Sequence, residues 1–237
     1  MQHASLDLTT QVHLVAGLLA LGLGLAALVR DPSRGRVRLL FALCASLAAW
    51  NLAAAARHAG LPGREAWRAA TYLGACLSAP LALHLSLALS RAARSRRRLL
   101  VGSYALAAGT LALTWSLRAQ PAWQRILALA LPMALVLAQA VRVLHGHARS
   151  LGTHPDRRSL RTLMALGLAA SAFALTDLIP RGGSGVPPLG PLALIPFLLA
   201  LSTLALQRRY VDLDRVVARV AAVLLAGAAA GAFLQSS

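Results

Sequence analysis

Long uninterrupted apolar runs, rather than amphipathic stripes, set the pattern of this chain. Apolar stretches occupy Gln11–Val29, Val37–Ala56, Trp67–Leu89, Leu99–Leu117, Ala122–Val141, Leu160–Ile179, Gly190–Leu206 and Val216–Leu234, with Arg38, Arg68, Arg125, Arg161, Asp177 and Arg219 the charged residues near their ends. The fifth run extends past Arg142 to Leu144 when that one arginine is allowed. Each is close to the roughly 20 residues that a helix needs to cross the hydrocarbon core at about 1.5 Å rise per residue. The pattern predicts an all-α fold, a polytopic integral membrane helical bundle of seven to eight transmembrane helices. The connectors are short, the longest running from Arg142 to Ser159, and none has room for a separate soluble domain.

Composition sharpens this picture. Hydrophobic residues make up 58% of the 237 positions and charged residues only 13%, where soluble domains are nearer half and a quarter. The formal net charge is +17, and every one of the 24 cationic residues is arginine. The absence of lysine excludes a lysine-dependent phosphate loop and a Schiff-base cofactor enzyme. The arginines alternate between connectors. Eighteen of them lie in the first, third, fifth and seventh connectors and six in the others. Basic residues favour the cytoplasmic side, so the asymmetry places the amino terminus outside and the odd connectors in the cytoplasm. It also accounts for the surplus charge through contact with anionic membrane lipids, and no nucleic-acid partner is expected. The first ten residues carry Asp7 and no arginine, unlike the basic start of a cleavable signal peptide, so the first span is expected to stay as an anchor.

Polar residues inside the runs are few, and each is a candidate because burying it without a partner is costly. Trp50 and Asn51 lie near the outer end of the second run. In the third, Pro80 removes a mid-helix hydrogen bond and predicts a kink, and His84 follows one turn later on nearly the same face. His84 has three roles open to it: titration, ligand binding, or a plain bond to a neighbouring helix. Trp50, Asn51 and the sixth span are its expected neighbours. Asp177, at the outer end of the sixth run, has two roles open, capping the Gly/Pro-rich loop that follows or binding a ligand.

Other features carry less. Cys44 and Cys76 sit at depths differing by roughly 10 Å, too far for a disulfide, and read as packing residues. His145, His147 and His154 read as a solvated loop rather than a metal site, since only Asp156 accompanies them. Gly227 and Gly231 form a GxxxG spacing that an Ala- and Gly-rich segment produces by chance. No hydrolase or metalloprotease signature is present, no enzymatic activity is expected, and neither a cofactor nor a metal is implied.

Two stretches near the carboxyl end carry a family resemblance. One is Asp177-Leu-Ile-Pro180 with its following loop and Pro188-Leu-Gly190, continued by Ile195-Pro196. The other is Arg209-Tyr210-Val-Asp212-Leu-Asp214-Arg215-Val-Val-Ala-Arg219. They resemble the seven-helix membrane sensor region at the amino end of many bacterial histidine kinases, whose members leave the membrane through an RYRLxDIDxVxxR segment. Asp212 stands where that family more often has Phe or Met. Pro80-Leu-Ala-Leu-His84, closing at Arg91, is similar to the family's PLLLHF segment, with Leu85 in place of the usual Phe.

The resemblance implies a seven-helix transmembrane sensor domain over 1–207, and the apolar run Val216–Leu234 predicts that 208–237 holds a cytoplasmic connector followed by an eighth apolar helix. It implies a signal-input module of a two-component system in the bacterial inner membrane, without the kinase half in this chain. Arg209, Tyr210, Asp212, Asp214, Arg215 and Arg219 would then form the signal-output connector, with Asp214 the better cap for a helix beginning at Val216. The implied partners are a second copy of the chain or a separate kinase or response regulator. The alternative is a small-molecule or lipid transporter, which predicts an internal repeat between the two halves. No motif recurs between spans one to four and five to eight.

Overall fold

A computed structural model describes residues 7–151, 156–176 and 189–206. Among these the chain is entirely helical: α1 (Leu8–Arg30), α2 (Gly35–His58), α3 (Arg64–Leu89), α4 (Arg97–Ser116), α5 (Ala122–Ser150), α6 (Asp156–Thr176) and α7 (Leu189–Leu206), with one 3-10 turn at Leu117–Ala119. Helices α1 to α5 are each long and apolar enough to cross a membrane, and α7 adds a shorter apolar stretch, Leu189–Leu201. Asp177 and residues 207–237 lie outside the described residues, and with them the expected connector and eighth helix.

Consecutive helices pack on each other, and α7 returns to contact α1 and α2 as well as α6. One end of the bundle carries the turns 31–34 and 90–96, and nine arginines between residues 30–38 and 91–98 gather there; we call it the arginine end. The exposed surface elsewhere is apolar: Val15 and Leu18 on α1, Val101 and Leu113 on α4, and Leu131 and Leu135 on α5 all face outward. Water does not favour so many exposed aliphatic side chains, whereas hydrocarbon does.

Helix α2 is the most buried of the five long apolar helices, with 61% of its apolar stretch buried against 33% for α1 and 28% for α4. Glycines let its neighbours approach. A Cβ at Gly17 would stand 2.7 Å from Leu52 Cγ, one at Gly24 2.7 Å from Cys44 Cβ, and one at Gly74 2.6 Å from the Ser46 carbonyl oxygen. Ser46 Oγ donates to the Gly74 carbonyl at 2.8 Å, which ties α2 to α3 at that contact. Both cysteines are free and buried, as packing residues.

The interior divides into two clusters. Ala20, Leu40, Cys44, Leu163 and Leu198 join α1, α2, α6 and α7. Cys76, Leu83, Ala107 and Met133 join α3, α4 and α5. Trp50 packs against both.

The helix ends depart from the apolar runs. Arginine is a good helix former, so α2 begins two residues before Val37 and α3 three before Trp67. The largest correction is at α5, which continues through Ser150, so His145 and His147 are helical rather than in a loop. Val136, Ala140, Val143, Leu144 and Ala148 stay buried along this extension. Their i, i+4 spacing keeps one face packed while Arg142 and the histidines take the others. His154 lies outside the described residues.

Candidate functional site

Two polar loci sit within this apolar framework, at opposite ends of the bundle. The first, away from the arginine end, joins the start of α1 to the end of α2. His13 and Asn51 are 6% and 3% exposed, and His13 Nδ1 lies 3.0 Å from Asn51 Oδ1. Asn51 Nδ2 donates to the Leu47 carbonyl at 2.9 Å, which fixes the amide with its oxygen toward the ring. His13 Nδ1 therefore carries the proton and donates, and Nε2 is the acceptor nitrogen. His58, the last residue of α2, stacks its ring on His13 with centroids 5.8 Å apart and planes inclined by 9°. One turn before His13, Thr10 is 3% exposed and its hydroxyl has no hydrogen-bond partner among the described residues.

This arrangement offers an imidazole pair, an amide and an unpaired hydroxyl within apolar surroundings. It can accept a proton or bind a small polar group, and two imidazolium charges on stacked rings oppose each other. Among the described residues no group of three or more metal-ligating side chains forms.

The second locus lies toward the arginine end. Pro80 is buried inside α3, which continues on both sides of it. His84 is half-buried, with Nδ1 3.3 Å from the Tyr104 hydroxyl on α4 and the two rings edge to face at 81°. Beside it a cavity of about 600 Å³ opens between the first turns of α2 and the last turn of α3.

The structure separates residues that the sequence groups together. Asn51 lies about 24 Å along α2 from Gly35, whereas His84 lies about 8 Å from the corresponding end of α3. They occupy different depths, so His84 meets Tyr104 instead of Trp50, Asn51 or α6. Trp50 packs against both hydrophobic clusters. His13, His58 and Tyr104 are the residues that sequence reasoning missed. His13 carried the available signal, an ionisable side chain inside an apolar run, but it lies within three residues of Thr10 and Gln11 and reads as part of a frayed helix start. Asp177, Arg209, Tyr210, Asp212, Asp214, Arg215 and Arg219 cannot be placed relative to either locus, lying outside the described residues.

Comparison with family models, with curated proteins and with solved structures finds no match.

Proposed function

We propose that this chain is the membrane-embedded signal-input module of a bacterial two-component system, seated in the inner membrane with its amino terminus outside and seven to eight crossings. It carries no catalytic step itself and works on a kinase or response-regulator partner. One observation supports this reading above the others: the buried polar locus and the helix that leads to the expected output segment share the same α1–α2 pair. His13 and Asn51 bridge α1 to α2, and α7 packs against both. A change at the His13–Asn51 bond therefore acts on the surface that holds α7, ahead of Arg209–Arg219. A switch of this kind needs two helix arrangements of similar free energy.

The test is genetic. Deleting the gene and replacing it with the Asn51→Ala form should alter the same set of transcripts, with a matching change in phosphorylation of one response regulator. Loss of uptake or export of a small molecule with an unchanged transcript profile would favour the transporter and overturn the proposal.

A further inference from the structure

We infer that the cavity at the arginine end is a binding site for a phosphate group, supplied by the headgroup of an anionic lipid. Its lining is drawn from two helices: Gly35, Arg36, Arg38 and Leu39 of α2, and His84 and Ala88 of α3. Two arginines and a histidine are among the residues of its lining, which is mostly apolar, with Leu39 and Ala88 contributing to it. Guanidinium forks match phosphate oxygens in geometry as well as charge.

The charge is uncompensated locally. The carboxylate of Asp31 is engaged by Arg34 at 2.6 Å and by the Ser33 hydroxyl at 2.8 Å. The first turn of α2 contains no acidic residue. Arg36 and Arg38 form no ion pair with any described residue. Tyr104 occupies His84 Nδ1, which leaves Nε2 as the ring nitrogen for a ligand. Exposed apolar side chains of α1, α4 and α5 mark the hydrocarbon layer, and the cavity, at the arginine end, lies toward its headgroup boundary. The cavity volume of about 600 Å³ accommodates a phosphate with its glycerol. The inference stands apart from the signalling proposal, because it needs only a membrane bundle with this cavity.

The test uses the full chain in neutral detergent, with phosphatidylglycerol as the probe and bound lipid measured by native mass spectrometry. Arg36→Gln with Arg38→Gln, and separately His84→Leu, should each weaken phosphatidylglycerol binding by about tenfold. Arg94→Gln with Arg96→Gln removes the same charge from the neighbouring turn and should change binding less than about twofold. His84→Leu removes no arginine, so a loss there does not come from general surface charge. An excess of inorganic phosphate separates the two sources of the group: displacement shows that phosphate alone fills the site, and retention of the lipid shows that its glycerol and chains contribute. Equal losses in the two arginine pairs, or unchanged binding in His84→Leu, overturn the inference.

Discussion

Single residues decide the polar loci and one strained turn. Asn51 holds two bonds at once, to His13 and to the Leu47 carbonyl. Replacing it with Ala leaves a buried imidazole without its acceptor, and Asn51→Ala should destabilise the protein by about 1–2 kcal/mol in unfolding from mixed micelles. Arg91 sits at φ 57°, the left-handed region, directly after α3. The Ala92 N–H bonds back to the Leu87 carbonyl at 2.9 Å, closing the turn as Leu61 does to Ala56 after α2. There the left-handed residue is Gly60, at φ 70°. A side chain in this conformation costs roughly 1–2 kcal/mol, so Arg91→Gly should raise the unfolding midpoint, through a net stabilisation of about 0.5–1 kcal/mol after the entropy lost by glycine. A lower midpoint would show that the Arg91 side chain contributes contacts worth more than the strain. Asn51, Pro80 and His84 were legible one by one, because polar atoms stand out in apolar runs. Their partners were not, since pairing depends on helix rotation and depth, which a linear pattern does not contain.

At the scale of the helices, glycines separate contact positions from free ones. A Cβ at Gly74 meets the Ser46 carbonyl at 2.6 Å and the Trp50 nitrogen at 2.7 Å, both backbone atoms of α2. Gly74→Ala must push α3 from α2 and is expected to cost about 1–3 kcal/mol. Gly102→Ala and Gly109→Ala, on α4 with nothing within 4 Å, should instead stabilise by about 0.5–1 kcal/mol through helix propensity. The same unfolding measurement in mixed micelles ranks all three, and a Gly74 variant as stable as the other two would refute the close approach. The existence and order of the helices were readable because apolar runs of spanning length have few alternatives in a chain this hydrophobic. Their ends were not readable from charge. A charged residue marks where a helix leaves the apolar layer, not where its hydrogen bonds stop, as α5 demonstrates by continuing to Ser150.

For the whole molecule, the gathering of arginines at one end makes orientation a direct prediction. A cysteine placed at Ser95, in a background with Cys44 and Cys76 replaced, should react with a membrane-impermeant maleimide only after cell lysis. One placed at Ser116, across the bundle on α4, should react in intact cells. Reversal of the two would place the amino terminus inside and remove the proposed direction of signalling. The close glycine contacts between α1 and α2 also bear on how the protein is made. Gly17 and Gly24 on one side, Leu52 and Cys44 on the other, and the Asp31–Arg34 ion pair at the turn all lie within the first 58 residues. Chains are delivered from the amino end at a finite speed, and contacts close in sequence form soonest. The ribosome thus delivers the α1–α2 hairpin before α3 is complete, so the surface on which α3 and α7 pack is made ahead of both.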